Sequence, residues 1–376
     1  MRRRIVIAPD SYKGTLSARD AALAIAAGWQ AERPHDELLL MPQADGGEGT
    51  LDAIAQATPG AVRRTARVAG PTGEPHDARW LLLPDHHAVI ELAECCGITL
   101  LPRRADGSPA FAPLTASSRG LGEAVTAALD CGAQRLTLAL GGSASTDGGL
   151  GALSALGLRP LDDRGAAVPD GGGALDRLLT LDTALLRAAP PGGITLLIDT
   201  TAALIGPGGA AAVFAPQKGA SAEQVAQLES GLARAAAIAG GDEHLRPGSG
   251  AAGGTAWGFA RYWGASIRSG ADAIAALTGL DAGLAGADLV ITGEGRVDAT
   301  SLAGKVVGGV AERARVAGVP IAIVAGQADS DAIPDAESAG LGRVLTLAGL
   351  AGSPEAAVAA PERWLRAAGA ALARSL

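Results

Sequence analysis

Short apolar runs recur along the chain, and most of them end in glycine beside an acid. The first, Arg4-Ile5-Val6-Ile7-Ala8-Pro9, is apolar at consecutive rather than alternate positions, the pattern of a strand buried on both faces. Asp10-Ser11-Tyr12-Lys13-Gly14 reads as the turn after it. Ser17 then caps a helix through Ala22, Ile25 and Trp29 that ends before Pro34. Glu37–Met41 is a second strand, Asp45-Gly46-Gly47-Glu48-Gly49 its exit turn, and Thr50 opens another helix. This is a βαβ unit, whose crossover should be right-handed.

The rhythm changes over residues 61–94, where short strands alternate with tight turns at Gly70–Pro75 and Pro84-Asp85. A helix is expected over Gly120–Leu129 and a buried strand over Gln134–Leu140, with Gly141–Gly149 as its exit. Further strands are expected at Ile194–Ile198, Asp288–Thr292, Val319–Val324 and Val344–Leu347, with a closing helix over Ala356–Leu372. The ends of the chain share one βα grammar. The expected fold is α/β: a three-layer α/β/α domain with a mainly parallel sheet, plus a smaller inserted α/β domain, with a cleft between them. Residues 1–60 and 285–376, with part of 115–160 allowed to join them, would form the larger domain, and about 61–284 the insertion.

Composition narrows the class. At 376 residues, 48% hydrophobic and 19% charged, the chain is long enough for a large core and is globular rather than disordered. A net charge of -8 and an aromatic content of 3% argue against nucleic acid and an anionic membrane surface as partners. Cys95, Cys96 and Cys131 form neither a disulfide framework nor a CxxC metal pattern, and are read as free thiols in a reducing cytoplasm. The apolar run behind Arg2-Arg3-Arg4 is too short for a signal segment. The adjacent His86-His87 fall beside Pro84-Asp85 at a hairpin tip and are expected in solvent.

The chemistry concentrates at five strand exits: Asp10–Gly14, Asp45–Gly49, Gly141–Gly149 with Asp147, Asp199, and Gly293-Glu294-Gly295 with Asp298. Parallel strands end at one edge of a sheet, so acids at their exits converge. Converging carboxylates repel and call for a cation. Mg²⁺ prefers oxygen ligands and couples one or two carboxylates to substrate phosphates. Lys13 and Lys305 offer positive charge, and the glycine turns offer backbone donors to phosphate oxygens. Phosphoryl transfer needs these components together. A Walker A sequence is absent, since Gly304-Lys305 is followed by Val306 and Ala299 stands where its first glycine belongs.

Taken together these turns resemble a known family, the bacterial glycerate kinases of type I. The similar segments are Ala8–Ala18 (APDSYKGTLSA), Met41–Thr50 (MPQADGGEGT), Gly141–Gly149 (GGSASTDGG), Val213–Ser221 (VFAPQKGAS), Ala285–Asp298 and Ser301–Val306. They are collinear and span nearly the whole chain. The resemblance implies ATP-dependent phosphorylation of glycerate, with D-glycerate and its 2-hydroxyl as the expected acceptor. It also implies the two α/β domains with the site in the cleft between them. The chain departs from the family pattern after Asp199, where an asparagine is lost, and at Ala116–Gly122, where Arg119 replaces an aromatic residue.

On this reading Asp45 holds the substrate hydroxyl or acts as base. Lys13 with Gly46 and Gly47 holds the transferring phosphate, and Asp199 with Glu294 or Asp298 positions the metal. Lys305 is a second phosphate contact; Ser11 with Lys13, or Arg296, meets the carboxylate. Asp10, Gly141, Gly142, Ser143, Asp147, Gly293 and Gly295 complete the expected substrate and phosphate side. ATP and Mg²⁺ are the expected cofactors, small molecules the partners, and a homodimer is left open. Two alternatives stand beside it: a kinase for another small hydroxy acid, and a catalytically silent binder of a nucleotide or hydroxy acid.

Overall fold

A computed structural model describes residues 2–12, 14–298, 301, 305–329 and 342–375. In chain order the strands are β1 (Arg4–Ile7), β2 (Glu37–Leu40), β3 (Val62–Ala69), β4 (Pro75–Leu82), β5 (His87–Glu91), β6 (Arg135–Ala139), β7 (Arg159–Leu161), β8 (Thr180–Asp182), β9 (Ile194–Ile198), β10 (Ser266–Ser269), β11 (Leu289–Val297), β12 (Ile321–Ala328) and β13 (Arg343–Thr346). The helices that matter below are α1 (Ala18–Glu32), α2 (Thr50–Ala57), α3 (Arg119–Asp130), α4 (Ala222–Ala239), α5 (Val306–Ala317) and α6 (Pro361–Arg374).

The chain divides into two units. The first comprises Met1–Asp45, Asp52–Pro59 and Ala271–Leu376; the second comprises Gly46–Leu51 and Gly60–Gly270. The uninterrupted run 60–270 is longer than the outer runs together, so the inserted unit is the larger one, not the smaller one expected from sequence. Residues 115–160 lie within it, and the largely helical run 271–284 goes with the first unit.

In the first unit a parallel sheet has the order β13-β12-β11-β1-β2. β1 lies inside it, between β11 and β2, and its side chains alternate between two cores. Ile5 and Ile7 pack among Ile25, Trp29 and Leu365, whereas Val6 and Ala8 pack among Leu280, Val290 and Val310. Helices therefore cover both faces, as the consecutive apolar run required. Ser17 caps α1 as expected, its hydroxyl accepting from the Asp20 amide at 3.1 Å.

Two expectations are corrected here. β11 does not turn at Gly293. It runs on to Val297, paired in parallel register with β12 from Gly293↔Val324 to Val297↔Ala328. The glycines are extended and serve close approach rather than a turn: a Cβ on Gly293 would strike the Val324 carbonyl, and one on Gly326 the Gly295 carbonyl. The single closing helix is instead two, Pro354–Ala359 and α6, because Pro361 cannot continue the first but suits the first turn of the second.

The second unit holds a mixed sheet in the order β10-β9-β6-β5-β4-β3. β3, β4 and β5 form an antiparallel meander, and β5, β6, β9 and β10 run parallel. The hairpin between β4 and β5 turns at His86, at φ 57°. His87 is not solvated as expected. It begins a strand buried on both faces, its Nε2 lies 2.8 Å from Thr137 Oγ1, and burial pushes its pKa down. Cys95 and Cys96 are buried free thiols and Cys131 is exposed. Among the described residues no helix is long and apolar enough to cross a membrane.

α1 and α6 meet backbone to backbone. A Cβ on Gly28 would lie 2.8 Å from the Arg366 carbonyl carbon and 2.9 Å from the Ala370 nitrogen, and one on Gly369 would lie 3.0 Å from the Ile25 carbonyl carbon. Alanine in a helix normally gains about 1 kcal/mol over glycine. Here the obstacle is backbone and cannot rotate away, so overpacking should win. Gly28→Ala and Gly369→Ala are each expected to destabilise the first unit by about 1–3 kcal/mol in denaturant unfolding, and a gain from either would refute the close packing.

Candidate active site

Within the first unit the exits of β1 and β11 travel together. The Ala8 amide donates to Ile291 O at 2.7 Å and the Asp10 amide to Gly293 O at 2.8 Å, while Thr292 Oγ1 donates to Ala8 O at 2.8 Å. Asp10 is thereby fixed at the sheet edge, buried, with Oδ1 accepting from the Ser11 amide at 2.6 Å. Tyr12 turns inward and donates its hydroxyl to Val324 O at 2.7 Å. Burial pushes the Tyr12 pKa up, and the nearby Glu294 and Asp10 carboxylates push it further. The first and fifth acidic exits are thus brought to one place. Lys13 lies outside the described residues.

Beside them is a cavity of about 390 Å³. Tyr12, Glu294, Arg296 and Lys305 make its polar side, and Leu347 with Val358 is on its apolar side. Lys305 is the N-cap residue of α5. Arg296 is held by Asp329, Nη2 to Oδ1 at 2.8 Å and Nε to Oδ1 at 3.1 Å. Asp298 closes a small turn, its Oδ1 accepting from the Ser301 amide at 3.0 Å. Among the described residues no group of three His, Cys, Asp or Glu side chains is placed to hold a metal alone.

Within the second unit, two glycine turns far apart in sequence touch. The Gly141 amide donates to Gly46 O at 3.1 Å, and a Cβ on Gly141 would lie 2.5 Å from Gly47 Cα. Gly46 has φ +92° and stands where a Cβ would meet Leu197 Cβ at 3.1 Å and Gly270 Cα at 3.3 Å. Only glycine fits there on both counts. Asp45, at the head of this turn, is buried. Gly141, Gly142 and Ser143 line a cavity of about 300 Å³ together with Asp199, Gln217 and Lys218.

Asp147, counted from sequence among the phosphate-side residues, lies beneath this turn. It is 1% exposed and accepts from the Ser118 amide and hydroxyl, both at 2.8 Å, from the Gly149 amide at 3.1 Å and from the Gly151 amide at 3.3 Å. Burial pushes its pKa up while the Ser118 and Gly149 donors act against that. Arg119 does not leave a loose charge in its loop. Its Nε meets Asp170 Oδ2 at 2.5 Å and its Nη2 meets Oδ1 at 3.0 Å, a two-pronged pair.

Sequence reasoning gave Lys218 no role. It is 4% exposed, and its Nζ donates to Ser143 Oγ at 2.8 Å and to Ser145 O at 2.5 Å. Burial pushes its pKa down to about 8, against the opposing pull of Asp147 and Cys96. The available signal was a lysine in the otherwise uncharged stretch Val213–Ser221, inside a motif already singled out.

Asp147 and Arg119 should differ sharply under mutation. Asp147→Ala leaves several buried donors unpaired and should cost about 3 kcal/mol or more of unfolding free energy. Arg119→Ala removes a pair that is about a third exposed and should cost at most about 1 kcal/mol. Urea melts of both variants check this; equal losses would mean that Asp147 is not the hub of its turn.

Comparison with known proteins places the chain in a family. The sequence profile of the glycerate kinase family matches residues 5–376. Glycerate kinase of Bacillus subtilis (strain 168) is 40% identical over 334 residues, covering 87% of this chain and 86% of that protein. Glycerate 2-kinase of Escherichia coli (strain K12) is 39% identical over 334 residues, with 87% and 86% covered. A crystal structure from Salmonella typhimurium LT2, named there for glycerate kinase 2, superposes with a TM-score of 0.83 at 35% identity, covering 100% of this chain and 98% of that one. The chain belongs to the glycerate kinase family.

Proposed function

We propose that this chain transfers the γ-phosphoryl group of ATP to D-glycerate, at the 2-hydroxyl. That it is a phosphotransferase making phosphoglycerate from ATP and glycerate follows from its family; the enantiomer, the hydroxyl and the roles below are the proposal. One observation carries the reading of the site: Asp10 and Glu294 both stand close to Tyr12, beside a cavity that Lys305 also lines. Two carboxylates and a lysine at one strand edge suit a magnesium-bound polyphosphate.

Mg²⁺ fits this donor set. Oxygen ligands are what it prefers, and it commonly takes only one or two carboxylates, the rest coming from phosphate and water. Glu294 and Asp10 would hold it; Asp298 is less suited, since one oxygen already serves Ser301. When bound, the ion would neutralise charge on the phosphates. Lys305, at the start of α5, adds a cation and a helix N-terminus to the phosphate side. Asp45 is assigned the acceptor hydroxyl, as base or anchor, with the Gly46-Gly47 backbone beside it and Lys13 as a phosphate contact. Asp199, expected from sequence to help with the metal, shares a cavity with Lys218 and is better suited to the acid. A cytoplasmic location goes with this reading.

Incubation with ATP, Mg²⁺ and each glycerate enantiomer, with the product identified by ³¹P NMR, tests it. The expected product is 2-phosphoglycerate from the D form. Asp45→Asn should lower kcat by about 10²–10⁴-fold, the range for loss of a general base. Full activity in that variant, or the 3-phosphate as product, would sink the assignment.

A further inference from the structure

An ammonium inside a protein needs a compensating partner, because burial without one is costly. Lys218 is 4% exposed, yet among the described residues it forms no salt bridge. Of its three N–H groups, one goes to Ser143 Oγ and one to Ser145 O. The carboxylate that acts on it, Asp147, already accepts four hydrogen bonds from Ser118, Gly149 and Gly151. Lys218 also lines the cavity of about 300 Å³, in company with Gly141, Gly142, Ser143 and Asp199. A buried cation with a donor to spare, on the wall of a cavity, is matched by an anion that arrives with a ligand.

The choice of anion follows from Asp199. A carboxylate in the same cavity repels a polyphosphate, but it accepts a hydrogen bond from a hydroxyl. A hydroxy acid presents one anionic group and neighbouring hydroxyls, which is the complement of one ammonium and one carboxylate. We propose that this cavity is the seat of the acceptor acid: Lys218 binds its carboxylate, assisted by the Gly141–Ser143 turn, and Asp199 takes a hydroxyl. This rests on the glycerate reading above and adds the group that distinguishes an acid from an uncharged polyol.

The test compares glycerate with glyceramide, which keeps both hydroxyls and lacks the charge. Lys218→Met should raise KM for glycerate about ten- to hundredfold, the range for loss of a charged hydrogen bond. KM for ATP and turnover of glyceramide should stay near wild type. Unchanged KM for glycerate overturns the proposal. A rise in KM for ATP overturns it too, by placing phosphate here, and so does an equal loss on both acceptors, which would make Lys218 a mere prop for the turn.

A wild-type measurement guards against a variant that does not fold. With its pKa near 8, Lys218 loses its proton above that pH; among the described residues Asp147 and Cys96 act on it, and Asp199 lines the same cavity. The preference for glycerate over glyceramide in kcat/KM should therefore fall as pH rises through about 8 and beyond; a flat preference from pH 7 to 10 refutes the proposal. If the wild type phosphorylates no glycerate at all, it is the preceding reading that fails.

Discussion

The contact between the Gly141 amide and the Gly46 carbonyl is the constraint on which the second unit's site depends. It can form only because neither turn carries a side chain at the point of approach. Once it forms, the end of β6, the end of β9 and the turn after Asp45 share one small region, since the Leu140 amide also donates to Leu197 O at 3.0 Å. The turn after β6 is then gripped from elsewhere in the unit, by Lys218 through Ser143 and Ser145 and by Ser118 through Asp147. A glycine turn is flexible as sequence. Here it is held by side chains contributed from helices and loops whose own positions are set by the core.

Burial decides which polar groups matter. Arg119 and Asp170 form the better-looking ion pair, but both remain about a third exposed, where screening leaves little net gain. Among the described residues Asp147 has no ion pair, and it counts for more, because each donor that it satisfies would otherwise be stranded away from water. The same argument explains why Lys218 is informative. A solvated lysine in a turn would carry no message, whereas a buried one must be compensated.

Much of the fold was legible. Consecutive apolar residues gave the parallel strands, and Ser17 marked a helix start that the structure places at α1. The errors have physical causes. Gly293-Glu294-Gly295 was read as a turn because glycine usually signals positive φ. Here it signals that two strands run too close for a Cβ, which depends on a partner, β12, that local sequence does not reveal. His87 was assigned to solvent from its neighbours Pro84 and Asp85, but it is the first residue of a strand buried on both faces. The acids at the strand exits were legible as a set. Which of them lies under a turn, like Asp147, and which lines a cavity, like Asp199, depends on donors distant in sequence. Lys218 was missed because a burial argument needs the fold.

The strand order of the first unit has a consequence for how the protein is made. β1 sits between β2 and β11, and β11 begins only at Leu289. During synthesis β1 and β2 emerge early, while the run from 60 to 270 can assemble its own sheet from strands close to one another in the chain. Until β11 is made, β1 has an open edge, with Ile5, Val6 and Ile7 lacking the neighbours that bury them. An unpaired apolar strand is a template for wrong pairing. The waiting time set by the insertion, rather than the final stability of either unit, is then the vulnerable stage in the life of this chain.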